Sequence, residues 1–214
     1  MPFVNRGPDT KIFRITHYRN LALTLRNGIF CKNSENCDPD YIDIGHLQLI
    51  NDRGTKRVSI SPFGVLNDYV PFYFAPRSPM LYSISKGHVA NFNGNQSDIV
   101  YLVSNINEII NADRPFIFTD AHAYIMFANE YNDIQHLDKV DWTVMNSRFW
   151  NRTVDDPDRM SKRMAEFLVY HFVPVNCILE VVVFNQEKLD YVNQILSVLN
   201  LTIQSRICKA WYYA

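Results

Sequence analysis

The sequence predicts an α+β fold. Apolar runs typical of β-strands outnumber the segments with helical periodicity. The helical segments do not alternate regularly with the strands, as they would around a doubly wound parallel sheet. The chain has 214 residues, of which 47% are hydrophobic, and this fits one domain, residues 1–214, with a substantial core.

The first third of the chain predicts a strand followed by two helical segments. Residues 11–16 form a short apolar strand, and residues 17–27 are compatible with a helix that Gly28 ends at its C′ position. Residues 31–43 are rich in Asn, Asp and Pro, which is typical of a loop. Residues 44–50 predict a second, short helix.

Prolines and aromatic residues alternate between Asp68 and Tyr82, in the order Asp-Tyr-Val-Pro-Phe-Tyr-Phe-Ala-Pro-Arg-Ser-Pro-Met-Leu-Tyr. Each proline fixes its own φ angle and favours extended geometry in the residue before it. We therefore expect a strand over residues 69–74 and a turn over residues 75–79.

The remainder of the chain predicts five more strands, which are expected at 99–103, 115–119, 167–171, 178–184 and 201–206. Helices are expected at 106–112, within 137–150, after a turn in 153–163, and at 186–199. Residues 120–131 mix small and aromatic side chains and fit neither pattern.

Composition limits the function classes. The net charge is −1, so the chain lacks the overall basic character of many nucleic-acid-binding proteins, and any DNA site must be a local patch. Four cysteines have neither zinc spacing nor a dense disulfide pattern, which indicates reduced thiols in a cytoplasm. Met1 to Lys11 lacks the apolar region of a signal peptide, and no apolar run reaches about 18 residues, so we expect a cytoplasmic protein without a membrane span.

Four segments carry a resemblance to a known family. They are Arg14-Ile15-Thr16-His17, the proline–aromatic segment 68–82, Phe118-Thr119-Asp120-Ala121-His122 and Ala165-Glu166-Phe167-Leu168-Val169. Together, from about residue 12 to Tyr213, the chain resembles DarT, the DNA ADP-ribosylating toxins of DarTG toxin–antitoxin systems. The resemblance implies a mixed β-core of the ADP-ribosyltransferase type with flanking helices and a central cleft for NAD as cosubstrate. It implies no metal, and the absence of a Gly-x-Gly-x-x-Gly or Walker A sequence is compatible with it.

The resemblance assigns catalysis to Glu166 and Arg53. Cleavage of the nicotinamide–ribose bond develops positive charge on the ribose, which a fixed carboxylate stabilises. A solvent-facing glutamate at the end of a strand is the alternative for Glu166, and a surface arginine beside Lys56 and Arg57 is the alternative for Arg53. Because a guanidinium stays protonated, we expect Arg53 to polarise a phosphate or a base carbonyl rather than remove a proton.

The resemblance also places NAD contacts on the first strand and after it. They are expected from Arg14, Ile15, Thr16, Leu23, Cys31 and Arg53. The backbone of the first strand, as an edge strand, would bind the nicotinamide carboxamide, and Thr16 a ribose hydroxyl. Core packing is an equally good interpretation of Leu23 and Cys31.

Residues 124–166 correspond to the loop region with which the family presents its target base. Bases stack on aromatic rings and arginines neutralise phosphates in single-stranded DNA sites, so Arg148, Trp150 and Arg152 are candidate DNA contacts, with His122 at the start of the loop. Alternatively, Trp142 and Trp150 share one helix face as core. His17 and His122 have no partner at metal-ligand spacing, so we expect both to be hydrogen-bonded rather than metal ligands.

The sequence is thus interpreted as a toxin that transfers ADP-ribose from NAD to a base in single-stranded DNA, with thymine as the expected base. A macrodomain antitoxin, DarG, is the expected protein partner, and the chain is expected to be a monomer. The alternatives are a transferase acting on RNA or protein, and an inactive module that binds NAD or a partner.

Overall fold

The computed structural model describes residues 7–214, so part of the N-terminal stretch Met1 to Lys11 lies outside the described residues. The strands of the described part are β1 Lys11–His17, β2 Ile29–Phe30, β3 Tyr69–Tyr73, β4 Ile99–Asn105, β5 Phe116–His122, β6 Glu130–Tyr131, β7 Ala165–Tyr170, β8 Phe172–Val173, β9 Glu180–Val183 and β10 Gln204–Ile207. The α-helices are α1 Leu21–Asn27, α2 Leu47–Arg53, α3 Pro79–Ser85, α4 Ile106–Asn111, α5 Trp142–Asn146, α6 Arg159–Arg163 and α7 Gln186–Val198.

Eight strands form one sheet in the order β10-β9-β4-β1-β3-β7-β5-β6, and β2 pairs with β8 separately. Neighbours in the large sheet are antiparallel except β9 and β10, which are parallel. The continuous apolar run of β4 is buried because this strand lies inside the sheet. The mixed sheet with flanking helices confirms the predicted α+β class.

The sheet opens between its two central strands, β1 and β3. β1 is paired with β4 along its whole length, but its register with β3 consists of the single pair Phe13 and Tyr73. Continuing that register would set Ile15 opposite Pro71. The Pro71 carbonyl accepts a hydrogen bond from the side chain of Arg14 on β1 and so faces β1. The N–H and C=O groups of one residue point to the same side of an antiparallel strand. Because proline has no N–H, Pro71 offers β1 no hydrogen-bond donor on the side that faces it, and β1 and β3 separate here.

The opening corrects one sequence expectation. β1 is an interior strand, not an edge strand. Beyond Phe13, however, the side of β1 that faces β3 has no register partner in the described sheet. The backbone from Arg14 onward therefore borders a cleft inside the sheet, which is the position that the resemblance implies for NAD.

Helix boundaries differ from the sequence expectations for identifiable reasons. α2 begins at Leu47, after the extended residue His46, rather than at residue 44, and its last helical residue is Arg53. α3 was not expected, because Pro79 reads as the end of a turn. Ser78 caps this helix by accepting from the Leu81 N–H at 3.2 Å, and Pro79 occupies the first turn, where its missing N–H costs nothing.

The structure also defines the secondary structure of residues 120–131 and 137–150, which the sequence left open. β5 continues to His122, and residues 123–129 form a loop before β6. Only Trp142–Asn146 of residues 137–150 is α-helical, and β7 begins at Ala165, two residues earlier than expected. No helix in residues 7–214 is long and apolar enough to cross a membrane.

Candidate active site

Arg53 and Glu166, which lie 113 residues apart in the chain, form a two-armed ion pair. Arg53 Nη1 donates to Glu166 Oε1 at 3.0 Å, and Nη2 donates to Oε2 at 2.9 Å. The side chain of Glu166 is 4% exposed and that of Arg53 is 12% exposed, whereas Arg57 lies at the surface. The solvent-facing interpretation of these two residues is therefore wrong. The two parallel hydrogen bonds fix both planar groups.

Burial acts against the charge of both partners, and their mutual attraction outweighs it. Desolvation would raise the pKa of the Glu166 carboxyl, but the guanidinium of Arg53, together with His122, holds that pKa below its ordinary value. Desolvation would lower the pKa of Arg53, but the Glu166 carboxylate raises it above its ordinary value. The carboxylate is therefore ionised and oriented at neutral pH.

His122, the last residue of β5, lies beside this pair. Its Nε2 is 3.8 Å from Glu166 Oε1. Burial lowers the pKa of His122 below 6.5, an effect that Glu166 only partly offsets, so the imidazole is neutral at pH 7. The pairing of β5 with β7 shifts register between Phe118 and His122. Such an irregularity redirects side chains near a site.

Neighbouring residues fix the position of the carboxylate. The Ala123 N–H donates to Glu166 Oε1 at 3.3 Å, and the Glu166 N–H donates to Thr119 Oγ1 at 3.2 Å. Tyr73 of β3 lies directly opposite Glu166, so the two side chains share a face of the sheet. Burial, followed by the charge of Glu166, raises the pKa of Tyr73, which keeps this phenol protonated. Tyr73 was not among the candidate residues, although it lies in the proline–aromatic segment.

One cavity adjoins the ion pair at Arg53, and a second cavity adjoins the first. The first, of about 140 Å³, is lined by Arg53, Arg14 and Cys31. The second, of about 330 Å³, is lined by Leu23. The two cavities share the lining residues Phe30, Cys37 and Tyr41, so they are adjacent, and together they are called the trough below. A dinucleotide has two halves, and two adjacent compartments offer a place for each.

The first-strand candidates occupy different environments. Arg14 spans the opening of the sheet, donating to the Pro71 carbonyl at 3.1 Å and to the Tyr41 hydroxyl at 3.2 Å. Thr16 is buried, and its hydroxyl is bonded to Tyr41 at 2.9 Å and to Asn20 at 2.9 Å. A ribose contact by Thr16 would therefore require Tyr41 to move. The Ile15 side chain packs in the core, which leaves its backbone as the group that borders the cleft.

Trp150 does not present a stacking surface. It is 8% exposed, its indole N–H donates to the Tyr213 hydroxyl at 3.1 Å, and its ring packs edge-on against Tyr82. This corrects the expectation that Trp150 stacks on a base. Trp142 is also buried, but Trp150 lies outside α5, so the two do not share a helix face.

Arg148 and Arg152 are both exposed. Arg148 lines a third cavity, of about 880 Å³, together with Arg77, Arg163 and Lys209, and no carboxylate side chain lines it. The buried guanidinium of Arg163 donates to main-chain carbonyls, including those of Val144 and Pro76, rather than to a carboxylate. In a chain of net charge −1, this cavity is a local concentration of positive charge.

Among residues 7–214, no group of three or more His, Cys, Asp or Glu side chains is placed to hold a metal ion. The four cysteines are free thiols, of which Cys31 and Cys177 are buried. His17 accepts from the Arg19 N–H at 3.4 Å and packs against the rings of Tyr18 and Phe92. Its environment is that of a structural histidine.

Comparison with known proteins found a matching family model and a similar relative. A family model described as the ssDNA thymidine ADP-ribosyltransferase DarT matches residues 13–213. A DNA ADP-ribosyl transferase of Escherichia coli is 36% identical over 203 residues, covering 95% of this chain and 93% of the relative.

Solved structures of Thermus sp. 2.9 DarT also match. The complex with ADP-ribosylated ssDNA superposes with a TM-score of 0.89 at 35% identity, covering 96% of this chain and 97% of that chain. The complex with NAD+ superposes with a TM-score of 0.86 at 34% identity, covering 96% of this chain and 98% of that chain.

Proposed function

The chain belongs to the DarT family of ssDNA thymidine ADP-ribosyltransferases, and we propose that the pair of Arg53 and Glu166 performs its reaction. The protein is a DNA ADP-ribosyl transferase that uses NAD as its cosubstrate. The observation that carries the residue assignment is the two-armed ion pair of the buried Glu166 with Arg53, which lines the first compartment of the trough.

Glu166 stabilises the transition state of nicotinamide release. The bond between the ribose anomeric carbon and the nicotinamide nitrogen breaks, the electron pair leaves with nicotinamide, and positive charge develops on the ribose. A carboxylate that is already ionised and held by Arg53 and the Ala123 N–H stabilises that charge without reorganisation. A thymine nitrogen then forms the new bond to the anomeric carbon.

Arg53 orients and polarises rather than acting as a base. Its pKa is raised above the ordinary value for arginine by Glu166, so it keeps its protons at neutral pH. The guanidinium lines the NAD trough and donates to Glu166 at the same time. It therefore connects the carboxylate to the substrate and can donate to a thymine carbonyl or an NAD phosphate.

His122 is the group that we assign to removing the imide proton of thymine. It lies 3.8 Å from Glu166, is neutral at pH 7 and ends β5, where residues 124–166 begin. A neutral imidazole accepts a proton, whereas an imidazolium does not.

This role predicts the pH dependence of transfer. Since burial lowers the pKa of His122, transfer should be highest at pH 7 to 8 and should fall as His122 is protonated, with a midpoint below the ordinary histidine pKa of 6.5. Glu166 titrates below its ordinary value and does not contribute in this range. Initial rates measured between pH 5 and 8 test this. A His122→Gln variant should show a lower rate without the acidic decline, and an unchanged decline would assign it to another group.

We propose that the DNA strand approaches through Arg148 and Arg152 and along the cationic cavity that Arg148 lines. Arg163 is committed to main-chain carbonyls, but Arg77, Arg148 and Lys209 line the cavity without a facing carboxylate side chain, which suits a row of phosphates. The target base must be unpaired to enter the site, because a base inside a duplex is held by stacking and pairing.

The proposed DNA path predicts that single-stranded DNA is a better acceptor than duplex DNA and that DNA binding weakens as salt rises. Transfer should be at least about tenfold faster on a single strand than on its duplex, given an unpairing cost of a few kcal/mol. Arg148→Ala should reduce the slope of log affinity against log salt by about 0.7, the value for one phosphate contact on single strands. Fluorescence anisotropy over a salt series measures the slope, with Arg26→Ala as the control on α1. Equal activity on both DNA forms, or an unchanged slope in Arg148→Ala, contradicts the path.

We further infer that the protein acts as a cytoplasmic toxin, where it meets NAD and replicating DNA, and that a macrodomain antitoxin removes the modification. We expect the chain to act as a monomer. Mass spectrometry of a DNA oligonucleotide, an RNA of the same sequence and a protein mixture, each incubated with NAD, tests the acceptor class. ADP-ribose on thymidine of the DNA alone is the expected result. Modification of RNA or protein instead, or no turnover of NAD, contradicts it.

A further inference from the structure

The loop 123–129, between β5 and β6, exposes two large apolar side chains at its tip. Phe127 is 87% exposed and Met126 is 80% exposed. Residues 123–128 contain no charged side chain. Isolated apolar residues are ordinary on a surface, but two adjacent ones on an uncharged loop beside an active site offer a contact surface for an apolar group.

The base of this loop is held firmly. Asp120 accepts from the Asn129 N–H at 3.0 Å and from the Asn129 side-chain amide at 2.6 Å, which ties the two ends of the loop together. The Ile125 N–H donates to the His122 carbonyl at 3.0 Å. These hydrogen bonds present the tip in a defined direction.

The loop is also bonded to Glu166 and to the chain neighbour of Arg53. The Ala123 N–H donates to Glu166 at 3.3 Å, and the Tyr124 hydroxyl donates to Asp52, the neighbour of Arg53, at 3.3 Å. Phe127 follows Ala123 by four residues, and a chain spans at most about 3.6 Å per residue, so their Cα atoms lie within about 14 Å. The tip is therefore within reach of the nucleotides on either side of a base held at Glu166.

We propose that Phe127, with Met126 beside it, stacks on the base adjacent to the target thymine and keeps the two bases apart. This rests on the proposed function of Glu166 and Arg53. Phosphates are excluded as the partner of the tip because it carries no charge, whereas every base offers an apolar face. Apolar side chains that insert between bases unstack them. Since Trp150 is buried, the tip supplies the stacking surface that the sequence assigned to Trp150.

The test compares Phe127→Ala with the unaltered protein on three single-stranded oligonucleotides: one intact, and two with an abasic site 5′ or 3′ of the target thymidine. On the intact strand, Phe127→Ala should lower kcat/KM for DNA by about 5- to 150-fold, the range for loss of one base stack. With the abasic site on the stacked side, the two proteins should differ by less than about twofold. Val198 is another exposed apolar residue, so Val198→Ala is the control and should have the same kcat/KM as the unaltered protein on all three strands.

If Phe127→Ala lowers kcat/KM equally on all three strands, or on none of them, the tip does not stack on a base and the proposal is wrong. A second measurement does not depend on turnover. The fluorescence of the added indole in Phe127→Trp should be quenched on binding the intact strand, and unchanged fluorescence in a variant that binds DNA contradicts stacking. Transfer by the unaltered protein to the intact strand tests the proposed function separately, so the two failures are distinguishable.

Discussion

Replacing Glu166 with glutamine is expected to reduce transfer by at least about 100-fold, the loss typical of removing one group that stabilises transition-state charge. Glutamine keeps the size of the side chain and one carbonyl acceptor for Arg53 but removes the negative charge that faces the ribose. Rates of ADP-ribose transfer to a thymidine-containing single strand measure the effect. Near-normal transfer by a folded Glu166→Gln variant would remove Glu166 from the mechanism.

The fold of the variant needs its own measurement. If Glu166 lay at an exposed strand end, Glu166→Ala would leave stability unchanged. Instead, Glu166 is buried and Arg53 is largely covered, so removing one partner leaves the other charge without compensation, which costs about 3–5 kcal/mol in buried pairs. Thermal unfolding should therefore show Glu166→Ala to be less stable than Glu166→Gln. The double variant Arg53→Gln with Glu166→Gln should recover part of the stability and still be inactive.

All six interior strands of the large sheet were predictable from the sequence. The apolar runs of β4 and β9 predicted these strands directly, because both strands are buried inside the sheet. α3 was missed because the Ser78-Pro79 pair serves equally for a turn and for a helix start. The opening between β1 and β3 depends on which side of its strand Pro71 faces, and that follows from register, which the sequence does not specify.

The active site was predictable only through the resemblance. Spacing does not relate Arg53 to Glu166, since β7 and α2 meet through the fold and not along the chain. The carboxylate looked exposed because charged residues usually are, and only a paired carboxylate tolerates burial. Trp150 shows the opposite error, because composition does not reveal which aromatic ring of a loop packs inward. The adjacent Phe149 is exposed, whereas Trp150 is buried.

Arg53→Lys is expected to be nearly as inactive as Arg53→Ala, with transfer reduced by about 100-fold or more in both, because fixed donors of this kind supply that order of stabilisation. The lysine keeps the positive charge but offers one point donor, whereas the guanidinium places two nitrogens at 3.0 and 2.9 Å from the two oxygens of Glu166. A lysine would leave the carboxylate free to rotate and could not contact the carboxylate and the NAD trough in one plane.

The nearby Arg57 provides the matched control. It lies in the same basic segment but is exposed, so Arg57→Ala should transfer ADP-ribose at a normal rate. Transfer rates and the NAD-induced rise in melting temperature, measured side by side, separate catalysis from NAD binding. Full rescue by Arg53→Lys would mean that positive charge alone is needed and that the two-armed geometry is incidental. Damage by Arg57→Ala together with a silent Arg53→Ala would place the essential arginine outside the ion pair, and the role assigned here to the buried pair would then be untenable.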